Sequence, residues 1–258
     1  FTEQFLAAIK AQGQDYVLAS KDGVTALNTG YSIAAIPFVT MVNDPETFQP
    51  LFGQDKAACG FEIADALVIR ADLSGKVLAV GNTEYEASYT VVPTIMTIYR
   101  GYSWADIEIG NTPVRFVTTH LESLWDENKV PNAPKQAQQL ISDLKETRNP
   151  IVIMGDFNSD PRDPRIADDP NVGGQPAASK SCPAGGSECS AYRLMFEAGF
   201  KDVGPDSLDP RNNTWGMNAL LTGPDPDRLK YSQQLGNFAG YSDRLDYIFV
   251  KNGAVPLV

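Results

Sequence analysis

The spacing of apolar positions divides the chain into strand-rich and helix-bearing stretches. Residues 1–12 put Phe5, Leu6 and Ile9 on one face behind Thr2, a candidate N-cap, which predicts a helix ended by Gly13. "ADALVIRADL" (64–73), closed by "SGK", reads as a buried strand, with "KVLAV" (76–80) as its hairpin partner. "PTIMTIYRGYSWADIEIGNTPVRFVTTHLE" (93–122) holds three strand-like runs, with "GNTP" turning the last pair.

The period then changes. In "NAPKQAQQLISDLKETRNP" the residues Ala137, Leu140, Ile141 and Leu144 recur at i, i+3, i+4 and i+7, the stripe of an amphipathic helix. Asn149-Pro150 stops it, and the strand "IVIM" follows at once. Residues 191–198 predict a second short helix with Gly199 as its C-terminal cap. A long Pro/Gly/Asp-rich stretch leads to the last clear strand, "RLDYIFV" (244–250). Apolar runs flanked by amphipathic helices imply sheets with helices packed outside them. No repeat or linker divides the chain, so residues 1–258 read as one domain.

Charge narrows the partners. Lys and Arg total 21 against 32 Asp and Glu, a formal net charge of −11. A field of that sign repels polyanions and membrane surfaces, which disfavours sequence-independent duplex binding. A phosphate substrate stays open, because a bound divalent metal can dominate the local field. No apolar run approaches the ~18–20 residues of a membrane span, and a monomer is expected.

The three cysteines are uneven. Cys182 and Cys189 bracket "CPAGGSEC", a loop able to close a short disulfide, with free thiols as the alternative. Their spacing suits no common zinc pattern, and Cys59 has no obvious partner. An oxidised loop would point to a secreted or periplasmic protein. The sequon "NNT" at Asn212 is compatible with export. The chain opens at Phe1 without a signal-like segment, which fits either a removed signal or a piece of something longer. "DPRDPRIADDPN" (160–171) reads as a solvated acidic loop, with a weak calcium site as the sharper alternative.

Three stretches carry candidate chemistry. In "PIVIMGDFNSDP" (150–161), Asp156 and Asn158 stand just past the carboxyl end of a strand, where ligands collect in layered α/β proteins. One ionised oxygen and one neutral amide suit a hard cation such as Mg²⁺, although Asp and Asn also serve simple turns. His120, the only histidine, ends the strand of "VRFVTTHLE". An imidazole there can protonate a leaving oxygen near pH 7, and a structural role is the alternative. Asp246, in "SDRLDYIFV", lies among apolar positions and should be partnered, either by Arg244 at i−2 or by a catalytic histidine.

Together and in this order, "RFVTTHLES", "PIVIMGDFNSDP" and "DRLDYIFV" resemble the endonuclease/exonuclease/phosphatase superfamily, the deoxyribonuclease I-like fold. "QAQQLISDLKETRNP", "YRLMFEAGFKDV" (192–203) and "TWG" (214–216) resemble its connecting segments, so the likeness covers most of residues 64–250. The resemblance implies a four-layer α/β/β/α sandwich of two mainly antiparallel sheets with outer helices. It implies hydrolysis of a phosphoester by an attacking water that Mg²⁺ or Mn²⁺ orients. On the matched positions, His120 would contact the scissile phosphate or assist the leaving group, and Asp156 would orient or deprotonate the water. Asn158 would hold the phosphate or, with Asp156, the metal, and Asp246 would support the family's terminal histidine. Arg244 and Trp215 are expected to bind substrate beside them.

The chain departs from the pattern in two places. Neither the family's first strands, with an asparagine and a metal-binding glutamate, nor its terminal Asp-His segment is recognisable, so the domain is expected to be incomplete at both ends. The leading expectation is a general phosphodiesterase, with a secreted nuclease of the same superfamily as the alternative. An inactive relative acting as a binding module is the reading of another class. Residues 93–130 offer only Arg100, Arg115 and Lys129 as cations for a nucleic-acid groove.

Overall fold

A computed structural model describes residues 2–27, 38–41, 43–44, 46–50, 53–59, 64–93, 96–124, 126, 130–161, 190–215 and 243–253. The chain begins with helix α1 (Thr2–Ala11), followed by the short strands β1 (Tyr16–Leu18), β2 (Ser20–Lys21), β3 (Val24–Thr25), β4 (Phe38–Met41), β5 (Lys56–Cys59) and β6 (Val68–Arg70). Longer strands then appear: β7 (Val77–Glu84), the pair β8 (Tyr89–Val92) and β9 (Met96–Ile98), and the hairpin β10 (Gly101–Ile109) and β11 (Thr112–His120). Helix α2 (Asn132–Leu144) leads into β12 (Ile151–Asp156), and helix α3 (Ala191–Glu197) into β13 (Lys201–Asp202); β14 (Asp246–Lys251) comes last.

One six-stranded sheet, in the order β13-β14-β12-β11-β10-β7, organises the molecule. Only β11 and β12 run parallel. A parallel neighbour needs a crossover, and α2 supplies it. The apolar stripe of α2, with Ala133, Ala137, Leu140 and Leu144, is buried with Val117, Ile151, Ile153 and Phe249 of the sheet and with Met195 of α3. Ser190 caps α3 by accepting from the Arg193 N–H at 3.2 Å.

The opposite sheet face is covered differently. Leu67 and Ile69, around β6, cluster with Val77, Ala105 and Ile107. β6 pairs antiparallel with β1, α1 lies against β1, and α1 buries no residue fully. The result is an α/β fold with helices on one face of a mixed sheet and a smaller antiparallel layer on the other.

The hairpin expected between residues 64–73 and 76–80 does not form. β6 pairs with β1 and β7 with β10, because a 3-10 turn over Ala71–Lys76 carries the chain from one layer to the other. The acidic stretch expected to be solvated from residue 160 starts instead with a fully buried Asp160, whose Oδ2 accepts the Arg244 backbone N–H at 2.8 Å. The rest of that stretch (162–171), together with Cys182 and Cys189, lies outside the described residues.

Candidate active site at the strand rim

Because β11 and β12 are parallel, both leave the sheet at the same rim, and antiparallel β14 enters there. The register pairs His120 with Asp156 and Asp156 with Asp246, so the three residues form one row across three adjacent strands. Paired residues share a face, with Cβ atoms roughly 4.5–5.5 Å apart. Period-two alternation sends Val117, Ile153 and Phe249 toward the helices. It therefore sends the row to the other face, toward the β6 layer. His120 Nε2 lies 3.4 Å from Asp156 Oδ2.

Backbone contacts fix this rim. At Gly155 an added Cβ would stand 1.9 Å from the Thr119 carbonyl oxygen, so only glycine lets β11 approach this closely. Beyond the strands, Leu121 N–H donates to Asp156 O at 2.9 Å and Phe157 N–H to Leu245 O at 2.8 Å. Asn158, in a left-handed conformation at φ +45°, donates its N–H to Asp156 Oδ1 at 2.8 Å. Its side-chain amide nitrogen donates to Leu121 O at 2.7 Å, and Oδ1 is the amide atom of the type a hard cation takes.

Burial pushes the Asp156 carboxyl up to about 6, and neighbouring Asp246 adds to the rise. Burial, reinforced by the Arg100 guanidinium, pushes His120 down to about 4. At neutral pH the ring is therefore neutral and Asp156 largely ionised. Among the described residues no group of three or more His, Cys, Asp or Glu is arranged to hold a metal. Asp156 and Asn158 nonetheless fit Mg²⁺, which commonly uses one or two carboxylates and completes its shell with water and substrate phosphate.

The other expected residues are placed less uniformly. Asp246 is exposed, as the first residue of β14, rather than buried among apolar neighbours. Its side chain is not the partner of Arg244, whose Nε donates to the Asp246 backbone oxygen at 2.9 Å. The Arg244 guanidinium, 3% exposed, lies 3.8 Å from Asp202, over the Tyr247 ring, and bonded to Pro205 O. These contacts engage it inside the fold. Trp215 bridges Asp243 through paired backbone hydrogen bonds of 2.9 Å and keeps 43% of its surface exposed. Next to it, Thr214 Oγ1 accepts the Asp246 N–H at 3.2 Å, so Trp215 adjoins the rim.

Three residues at the rim were not among the expected site residues, although Arg100 was named as a cation for a nucleic-acid groove. Arg100 Nη1 lies 3.1 Å from His120 Nδ1, and Arg100 Nε lies 3.1 Å from Glu122 Oε2. Glu122 is 1% exposed. Its signal was the acidic residue two positions past the histidine in "THLE". The third, Asp65, has a buried Oδ2 without a hydrogen-bond partner among the described residues, and burial pushes its carboxyl up to about 7 against the pull of Arg100.

Two carboxylates beside a neutral imidazole suit hydrolysis of an ester by water, and on a layered α/β fold this is the class of phosphoesterase- and nuclease-type hydrolases. The chain belongs to the Endonuclease/Exonuclease/phosphatase family, whose model matches residues 84–258. Members of this superfamily are generally hydrolytic, act on phosphoesters or nucleic acids, and typically use divalent metals. No individually curated protein matches the chain in sequence. Among solved structures it is similar to an endonuclease/exonuclease/phosphatase family protein from Bacteroides thetaiotaomicron (14% identity, TM-score 0.42), covering 96% of this chain and 65% of that one. A family protein from Leptotrichia buccalis is similar at 18% identity and TM-score 0.42, with coverage of 97% and 66%. SmcL is similar at 16% identity and TM-score 0.43, with coverage of 75% and 54%. The chain thus spans 54–66% of the length of these structures. Among the described residues no helix is long and apolar enough to cross a membrane.

Proposed function

We propose that this chain carries part of the site of a Mg²⁺- or Mn²⁺-dependent phosphodiesterase. The observation that supports this reading is the single register row His120–Asp156–Asp246, with Asn158 folded over its centre. Asp156 and Asn158 would hold the divalent cation, which when bound supplies positive charge to the phosphate. Asp156, ionised at neutral pH yet raised toward it, takes a proton from the attacking water. The water oxygen bonds to phosphorus, the ester P–O bond breaks, and the leaving oxygen takes a proton from solvent. His120 contacts the phosphate, and Trp215 borders the substrate.

The engagement of two arginines at the sheet supports a small or lipid-headgroup diester over duplex nucleic acid. Arg115 forms a two-pronged pair with Asp106 at 2.7 and 2.8 Å and stacks on Trp104, while Arg100 is buried against Glu122. Neither is available to neutralise a phosphate backbone. The reading further includes a monomer that is secreted or periplasmic.

The test is a panel on the full gene-encoded protein: duplex DNA, sphingomyelin and a small chromogenic diester, with Mg²⁺, with Mn²⁺ and with chelator. Metal-dependent cleavage of either non-nucleic diester supports the reading, and preference for DNA makes the protein a nuclease. Hydrolysis of none of the three would leave the binding-module reading.

A further inference from the structure

Arg100 Nη1 meets Nδ1 of the chain's only histidine at 3.1 Å. A guanidinium has donors and no acceptor, so this contact requires a lone pair on Nδ1. A proton on Nδ1, in the other neutral tautomer or in the imidazolium, would set one N–H against another. The ring proton therefore sits on Nε2, the nitrogen that faces Asp156 Oδ2 at 3.4 Å.

Arg100 is itself held. Its Nε donates to Glu122 Oε2 at 3.1 Å, and both side chains are buried. Glu122 Oε1 accepts from Leu124 N–H at 3.0 Å and from Ser123 Oγ at 3.4 Å. The Glu122 N–H donates to Gln136 Oε1 on α2 at 2.7 Å. Fixed contacts thus run from α2 through Glu122 and Arg100 to the imidazole.

We propose that Glu122 and Arg100 are positioning residues that lock His120 as the neutral Nε2–H tautomer. In that form His120 donates a hydrogen bond to a non-bridging oxygen of the scissile phosphate and does not protonate the leaving group. Giving up the Nε2 proton would turn a neutral ring into imidazolate, whereas a hydrogen bond leaves that proton on nitrogen throughout. The phosphate partner rests on the phosphodiesterase reading; the tautomer rests only on the contacts of this chain.

His120 is the one histidine of residues 1–258, and comparison with His120→Ala assigns its two ring resonances in any longer form of the protein. In metal-free protein labelled with ¹⁵N-histidine, Nδ1 is expected to resonate as a fully unprotonated nitrogen and Nε2 as a protonated one. Arg100→Met should move the two resonances toward each other as the tautomers mix, whereas Arg100→Lys, still a pure donor, should keep the wild-type pattern. If Arg100→Met fails to fold because Glu122 is left buried and unpaired, Arg100→Met with Glu122→Gln removes that charge and gives the same readout. A protonated Nδ1 in the wild type, or an unchanged pattern in a folded Arg100→Met variant, would overturn the assignment. In turnover, His120→Ala should lower the rate by the same factor, roughly 10²-fold, for diesters with good and poor leaving groups. A loss confined to poor leaving groups would overturn the donor role. Absence of hydrolysis by the wild type would defeat the phosphodiesterase reading alone, with the spectra still deciding the tautomer.

Discussion

His120 and Asp156 are register partners at the ends of two parallel strands, and their side chains meet with Nε2 3.4 Å from Oδ2. This is a consequence of topology. A parallel pair brings both chain exits to one rim, and equal register puts both side chains on one face. A slip of one residue would send one of them to the helix side of the sheet. The hydrophobic alternation that buries Val117 and Ile153 therefore also sets the geometry of the proposed site.

Replacing Asp156 by Asn keeps the shape of this rim and removes its charge. The Asp156→Asn variant of the full protein should lose at least ~10² in turnover of a small diester, since it removes the base proposed to take the water's proton. Steady-state kinetics should show the loss in kcat, with the folded state intact by circular dichroism.

Gly155 makes a different prediction. A Cβ there would lie 1.9 Å from the Thr119 carbonyl oxygen, and backbone cannot swing aside as a flexible side chain does. Gly155→Ala should destabilise the protein by the upper part of the ~1–3 kcal/mol range seen for overpacked sites. It should also lower activity, because Thr119 and Gly155 immediately precede His120 and Asp156. Urea denaturation, read with the kinetics, would check both effects.

Much of this was legible in the sequence, for identifiable reasons. The stripe of α2 and the run "IVIM" are local patterns, and they matched elements because each packs one face on the same core. Residues at strand ends were found because chemistry-bearing side chains stood out against apolar runs. What sequence reasoning missed were pairings distant along the chain. Arg100 and Glu122 are ordinary charged residues until 22 positions of separation close into a 3.1 Å contact. Arg244 is likewise engaged by Asp202 and Pro205, well upstream, which no local pattern shows. The 64–80 hairpin failed because alternation sets which face a strand buries, not which strand it pairs with.

Asp65 predicts a pH dependence. Its carboxyl is raised by burial from the ordinary 3.8 to about 7 in the fold. A raised carboxyl is protonated in the folded protein at pH values where the unfolded chain has already ionised. Stability from this group is therefore fully present below about 3.8 and is lost as pH rises toward about 7. Asp65→Asn should stabilise metal-free protein at pH 8, by roughly 1–3 kcal/mol for a relieved buried charge, with little gain at pH 4. Thermal melts at the two pH values would test this, and an equal shift at both would refute it.

Metal binding supplies the last prediction. Asp156 and Asn158 together offer one carboxylate and one amide oxygen, while a hard cation takes about six ligands, mostly oxygen. With water filling the remainder, little charge compensates the cation, so residues 1–258 alone should bind Mn²⁺ weakly. Calorimetry is expected to show heats that do not saturate at moderate concentration and that vanish in Asp156→Ala. Adding a phosphate monoester should tighten binding, because its oxygens complete the shell. Turnover by this chain alone should be slow for the same reason. Tight, saturable Mn²⁺ binding without phosphate, or robust turnover, would show that further ligands exist and that the metal sits away from Asp156 and Asn158.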